Sequence, residues 1–111
     1  MPRPRKCRWI SCKPNSYYFK PRGIPLPFLE EINLTMDEFE AIRLADLNDL
    51  YQEEAAKKMK ISRSTFTRLI ESAHKKIAEA IVKGKALKIE GGVFKMSGIR
   101  EYKSRNQGKE Q

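Results

Sequence analysis

The chain has 111 residues, a formal net charge of +9 and a pI of about 9.7. A chain of this length is expected to form one domain with a modest core, without room for a large enclosed active site. Its positive charge favours a polyanionic partner such as nucleic acid, although ribosomal proteins and membrane-surface binders have a similar charge balance. Two cysteines without an apolar signal region, and no stretch long enough to span a membrane, predict a cytoplasmic protein with reduced thiols and no membrane partner.

Residues 1–27 are predicted to form an extended basic arm. Residues 1–22 contain seven Lys or Arg and no acid, and prolines bracket two short runs that favour β structure. The tip, Pro-Arg-Pro-Arg-Lys, resembles arms that enter an A·T-rich minor groove, which makes Arg3, Arg5 and Lys6 candidate DNA contacts. A solvated basic terminus is the alternative, and the residues support both equally. We expect the arm to touch the body of the domain through its aromatic side chains.

The following segment, residues 23–54, is acidic, with nine Asp or Glu and one Arg. Residues 28–34 are expected to form a short helical turn or a linker. Thr35 and Glu38 then have the spacing of a capping box, and apolar residues at helical spacing predict a helix from Met36 to about Ala45 or Leu47. We expect the acids of this helix to form a solvated face, and not a metal or catalytic cluster.

Residues 51–71 predict two helices joined by a tight turn. The first begins at residue 51 or 52 and ends near Lys58, and the second begins after Ser62, whose hydroxyl can cap it. The second helix is expected to continue to residue 82 or 83, where Gly84 ends it as a C-cap. Lys60 occupies the turn position often taken by Gly, and a positive φ there would cost about 1 kcal/mol.

The packing pattern of this pair is typical of a helix-turn-helix. Ala56 falls where the two helices cross, and Phe66 and Leu69 lie one turn apart on the inner face of the second helix. The outer face is polar, cationic and nearly free of carboxylates, as in a helix that reads the DNA major groove.

Two groups of candidate DNA contacts follow from this face. Arg63 and Arg68 can reach guanine edges, while Ser64, Thr65 and Thr67 can contact base edges, thymine methyls or phosphates. Phosphate contacts that fix the register are expected from Gln52, Lys57, Lys58, Lys75 and Lys76. About half of these lysines are expected to be ordinary solvated charges instead.

The C-terminal part of the chain carries weaker signals. Alternation around Leu87 and Ile89 predicts a short strand, which can pair with the Arg8–Cys12 run of the arm in a small two-stranded β element. Residues 93–111 are polar and are predicted to be a disordered tail.

We expect no metal, no cofactor and no enzymatic activity. Cys7, Cys12 and His74 are only three candidate ligands, and a structural zinc site normally needs four, so a site would require completion by an assembly or by water. We find no Gly-rich phosphate loop, no pairing of a nucleophile with a base, and no acid pair placed by anything beyond helix periodicity.

Several segments together resemble a known family. The segments PRPRK-C-R, FKPRGIP, LTMDEFEAIRLAD, YQEEAAKKMKISRSTFTRLIESA and GKALKIEGG are similar to the prokaryotic uncharacterised protein family 0251, which is described as DNA-binding. The resemblance spans about residues 2–92 and implies a helix-turn-helix similar to region 4 of sigma-70-type transcription factors.

The sequence therefore predicts a mainly α fold: a helix-turn-helix bundle of the sigma-70 region 4 type in residues 28–92, after the basic arm 1–27 and before the tail 93–111. The predicted function is sequence-specific binding of double-stranded DNA by a transcriptional regulator, acting as a homodimer through the stripe from Ile70 to Ile81. The alternative is a protein-interaction module that docks on RNA polymerase or another basic protein through the acidic helix, residues 37–49, with DNA contact secondary. A third and less favoured interpretation is RNA binding through the aromatic arm.

Overall fold

The computed structural model of the chain describes residues 8–92 and 94–101, of which 95–101 are described by their backbone alone. Over these described residues the fold is α-rich, with three α-helices, a small three-stranded sheet and a pair of parallel strands. In chain order the helices and strands are β1 (Arg8–Lys13), β2 (Tyr18–Phe19), β3 (Glu31–Leu34), α1 (Met36–Ile42), α2 (Gln52–Met59), α3 (Arg63–Lys83), β4 (Ala86–Ile89) and β5 (Phe94–Glu101). Among the described residues, no helix is long and apolar enough to cross a membrane.

Helix α1 begins as its local sequence predicts. The Thr35 side chain accepts a hydrogen bond from the Glu38 backbone N–H, and the Glu38 carboxylate accepts one from the Thr35 backbone N–H, so the capping box is confirmed. The helix continues as a π-helical segment, Arg43–Leu47, which confirms the predicted end near Leu47 with a wider last turn.

The bounds and caps of the two following helices are also confirmed. After α2, Lys60 has a left-handed backbone with φ +57° and ψ +44°, and Ser62 then caps α3 by accepting a hydrogen bond from the Thr65 N–H at 3.1 Å. Gly84 ends α3 with φ +67°, a conformation that costs glycine nothing.

The strand pairing differs from the prediction. Strand β4 is the centre of the three-stranded sheet, antiparallel to β2 and parallel to β3. Strand β1 pairs in parallel with β5, with a shift of register between Ile10 and Cys12. The predicted pairing of the strand around Leu87 and Ile89 with Arg8–Cys12 is therefore wrong, because both edges of β4 are already paired with other strands.

Two segments hold more structure than the sequence indicated. In the range 28–34, expected to be a helical turn or a linker, only residue 28 is helical, as the end of the 3-10 turn Leu26–Phe28, and Glu31–Leu34 forms strand β3, whose Leu34 is buried. Within the predicted tail, Phe94–Glu101 forms strand β5, while residues 93 and 102–111 lie outside the described residues.

The predicted arm is also part of the folded body from residue 8 onward. Ile10 is fully buried and Cys12 nearly so, whereas Tyr17 and Phe19 are about half exposed. The buried face of β1, with Ile10 and Cys12, and not the aromatic pair Tyr17 and Phe19, thus anchors this segment. The tip with Arg3, Arg5 and Lys6 lies outside the described residues.

The core consists of two adjoining apolar clusters, and Ile42 packs against both of them. One cluster joins the π-helical segment and α1 to α2 and α3, and the other joins α1 and α3 to the strands. The predicted inner residues Ala56, Phe66 and Leu69 are all buried in the first cluster, which fixes how α2 and α3 cross.

Candidate nucleic-acid interface

The candidate interface begins with the turn between α2 and α3. Backbone N–H groups of Lys60 and Ile61 donate to the carbonyls of Lys57 and Ala56, both at 3.1 Å, and close the end of α2. The left-handed Lys60 redirects the chain, and Ser62 starts α3 immediately afterwards. Because the inner faces of both helices are buried, their remaining faces are held in a fixed relation to each other.

The outer face of the first two turns of α3 carries the predicted DNA contacts. Arg63, Ser64 and Arg68 are exposed, while Thr65 and Thr67 are partly buried. The Ser62 hydroxyl donates to the Thr65 hydroxyl at 2.9 Å, so Thr65 also belongs to the cap of the helix. The first turn of α3 contains no acid. An anion that approaches this helix end therefore meets cationic and hydroxyl side chains.

One predicted contact from α2 is tied directly to α3. The Thr67 hydroxyl donates to Gln52 Oε1 at 2.6 Å and lies 3.1 Å from the Arg63 carbonyl oxygen. This bond uses the oxygen of the Gln52 amide, and a phosphate contact would use its N–H donors, so the two are compatible. The bond orients Gln52 relative to the outer face of α3.

The predicted phosphate-binding lysines divide into two kinds. Lys57 and Lys58 are exposed in the last turn of α2, and Lys75 is exposed on α3. Lys76 instead lies with its Nζ 2.7 Å from Glu38 Oε1 and 2.8 Å from the Asn33 carbonyl oxygen. Lys76 therefore connects α3 to α1 and β3, a structural role that its position on a basic helix did not indicate.

A further cation of this region has a partner that sequence reasoning missed. The Lys60 ammonium lies 4.8 Å from the centroid of the Trp9 ring, within the distance of a cation–π interaction. Trp9 belongs to β1, so this contact joins the N-terminal strand to the turn before α3. The only sequence signal for it is an aromatic residue in a basic segment.

The acids of α1 contradict the prediction of a solvated face. Asp37, Glu38 and Glu40 have relative exposures of 2%, 5% and 2%. Burying a carboxylate without a partner would be costly, and each of these acids faces a cation. Asp37 lies 3.3 Å from Arg8, and Glu38 contacts Lys76.

Glu40 has the most complete set of contacts. The Arg43 guanidinium donates to both of its carboxylate oxygens at 2.8 Å, a bidentate geometry, and the Ser11 backbone N–H and hydroxyl donate to Oε2 at 3.1 Å. This network ties β1 to α1. The i,i+3 spacing of Glu40 and Arg43 is a sequence signal for this pair. Nothing in the local sequence indicates that Ser11 also contacts Glu40.

Glu38 has a perturbed acidity. Burial raises the pKa of its carboxyl, but hydrogen bonds from Lys76, Ser72 and the Thr35 backbone outweigh burial, so the pKa is lowered below its ordinary value. The carboxylate is thus held ionised as an internal counter-charge to α3.

The candidate metal ligands are not brought together among the described residues. Cys12 is buried in β1, and His74 Nε2 lies 2.6 Å from Asp46 Oδ2 on the exposed side of α3. Cys7 lies outside the described residues. Within residues 8–92 and 94–101, no group of three or more His, Cys, Asp and Glu could hold a metal ion.

Comparison with known proteins identifies a family. Residues 1–97 match the family model described as "Protein of unknown function DUF134". A UPF0251 protein of Caldanaerobacter subterraneus subsp. tengcongensis is 59% identical over 98 residues, covering 88% of this chain and 83% of that protein.

Two further relatives have the same description. A UPF0251 protein of Dehalococcoides mccartyi is 58% identical over 96 residues, and the match covers 86% of this chain and 82% of that protein. A UPF0251 protein of Thermoanaerobacter pseudethanolicus is 54% identical over 96 residues, and the match covers 86% of this chain and 81% of that protein. No solved structure matches the chain. The matches span most of each protein, and the chain therefore belongs to the DUF134 family, whose members include these UPF0251 proteins.

Proposed function

We propose that this protein binds double-stranded DNA sequence-specifically as a transcriptional regulator, with the first turns of α3 in the major groove. The pair α2 and α3 would act as a helix-turn-helix, similar to that of region 4 of sigma-70-type factors. The observation that carries the proposal is the outer face of α3, where Arg63, Ser64 and Arg68 are exposed on a helix whose inner face is buried.

The electrostatics of α3 support this function. The first turn has no acid, and Lys57 and Lys58 lie exposed at the nearby end of α2. Guanidinium groups on such a face can bind guanine O6 and N7 in a bidentate manner, while lysines bind phosphates and fix the register. In this arrangement Arg63 and Arg68 read bases, and Gln52, Lys57, Lys58 and Lys75 contact the backbone.

The competing function, docking on RNA polymerase through the acidic helix, has less support. Three of the five acids in residues 37–49 are buried against cations of the same chain. Asp46 and Asp49 are exposed, but Asp46 already lies against His74. The helix thus offers little free negative charge to a basic partner.

Selection of random duplexes by the purified protein, read by sequencing, tests the proposal. We expect enrichment of a short motif, and binding to the enriched duplex should weaken steeply with salt, by a slope of about −0.9 per phosphate contacted in a plot of log affinity against log salt. Failure to enrich any motif, together with salt-independent binding, would refute the proposal.

A further inference from the structure

An apolar groove lies behind the candidate interface. Its volume is about 600 Å³, and its walls come from the loop after β1, α1, the π-helical segment, α3 and the three-stranded sheet. Phe39, Ile77 and Leu87 line its walls, and Phe19 and Leu47, which are 52% and 57% exposed, also line it. Exposed apolar surface of this kind marks a place where another molecule binds.

The groove continues along α3 beyond its own walls. Ile81 is one helical turn after Ile77, on the same side of the helix, and is 75% exposed. The earlier part of the predicted partner stripe, Ile70 and Ala73, is buried in the core and is not available. Of the later part of the stripe, Ala80 is also buried, Ile77 is partly buried at the groove and Ile81 is exposed.

The identity of the occupant follows from the extent and charge of this surface. A small molecule seated in the groove would leave Ile81 uncovered, because Ile81 is not among the groove-lining residues, whereas a protein surface can cover both. Among the described residues that line the groove, Arg43 is the one cation, and it is bound to Glu40. In a chain of net charge +9, such a face is where two copies can approach without strong repulsion.

This surface also leaves the DNA-binding face free. At about 1.5 Å per residue, Ile81 lies roughly 20 Å along α3 from Arg68. A dimer rests on the proposed function in one respect: one short recognition helix reads few bases, and helix-turn-helix proteins commonly read two half-sites as symmetric dimers.

We propose that a second copy of this chain covers the groove, in a two-fold homodimer formed by Phe19, Leu47, Ile77 and Ile81 of each protomer. The same patch meets its copy, as a two-fold axis requires. Each protomer then presents its own α3 to one half-site.

The test measures the assembly in the absence of DNA. Light scattering on a sizing column should give twice the chain mass of 12.9 kDa for the wild type at micromolar concentration, and the single mass for Ile81→Lys and Leu47→Lys. A buried Lys on each side of the axis should raise the dimer dissociation constant about tenfold or more. Both positions are exposed in the single chain, so unchanged circular dichroism is expected.

Val82→Lys is the matched control. Val82 is 79% exposed and adjacent to Ile81, but it lies about 100° further round the helix, so this variant should remain dimeric. A monomeric wild type would overturn the proposal and leave the groove to a small apolar ligand or a different protein. Equal effects of Ile81→Lys and Val82→Lys would refute this location.

Binding to duplexes separates this inference from the proposed function. Ile81→Lys should retain affinity for a single half-site and lose the added affinity for an inverted repeat. A dimer that is sensitive to Ile81→Lys but binds no DNA would support the interface and refute the DNA function.

Discussion

Helix α1 and the start of α3 are both charged helices, and they use their charges in opposite ways. The acids Asp37, Glu38 and Glu40 point into the protein and meet cations, whereas Arg63 and Arg68 on α3 point outward. Both segments have good N-caps and the same helical periodicity. The difference is therefore one of internal partners, and Lys76 and Ser11, two of those partners, are distant in sequence.

This comparison bears on how the two helices support function. A buried ion pair fixes geometry at a high desolvation cost, and an exposed cation remains available to a ligand. Helix α1 thus holds β1 and α3 in place, and α3 presents its face to solvent. Mutations in α1 should change stability, and mutations at the start of α3 should change binding.

The largest effect is expected for Glu40→Ala. The substitution removes the carboxylate that the Arg43 guanidinium and Ser11 contact, and breaking a buried pair on one side costs about 3–5 kcal/mol. Urea unfolding measures this loss of folding free energy. Glu54→Ala, which removes an exposed acid from α2, is the control and should stay within about 0.5 kcal/mol of the wild type. Equal losses in the two variants would mean that Glu40 is not a structural acid.

Arg68→Ala should produce the next largest effect, and on binding alone. Loss of a bidentate contact to a base should cost about 1–3 kcal/mol of binding free energy and relax the sequence preference, with unfolding unchanged because the side chain is exposed. Fluorescence anisotropy with the selected duplex measures it. Lys83→Ala makes the same charge change at the other end of α3 and should keep the preference. An unchanged affinity for Arg68→Ala would remove this residue from the reading face.

The contact of Glu38 with α3 should appear as a pH dependence of stability. Since the pKa of Glu38 is lowered in the folded protein, its stabilisation is complete above the ordinary value of 4.5 and is lost as pH falls through the lower folded pKa. The difference in unfolding free energy between the wild type and Glu38→Gln should therefore shrink in acid. A difference that stays constant or grows as the pH falls would contradict this assignment.

The parts of the fold that were predictable from sequence depend on short-range chemistry. Capping by Thr35 and Ser62, the glycine at position 84 and the apolar spacing of α3 each involve residues within a few positions, and they set the helix bounds. The exposed arginines followed from the same periodicity. Local rules thus predicted both the helices and the outward face.

The remainder depends on residues that are distant in sequence. Lys76 and Glu38 are 38 positions apart, and Arg43 and Ser11 are 32 apart, so no window of sequence links them. The same is true of β1 and β5, which pair across the whole domain. A charged residue on a helix is therefore predicted to be solvent-exposed as long as its distant partner is unknown. For this reason the acids of α1 were predicted to be solvated and Lys76 was predicted to bind phosphate.

The smallest expected effect concerns Lys60, the cation before α3 that has a partner within the protein. The left-handed backbone of Lys60 destabilises the fold by about 1 kcal/mol relative to glycine. The cation–π contact of Lys60 with Trp9 stabilises it by about 0.5–1 kcal/mol. Lys60→Gly should thus change the unfolding free energy little in the wild type, but should stabilise a Trp9→Leu background by close to the full backbone term. A double-mutant cycle by urea unfolding isolates the coupling. Identical effects of Lys60→Gly in both backgrounds would mean that Trp9 does not compensate the turn, and that the packing of α2 against α3 alone holds Lys60 in its left-handed conformation.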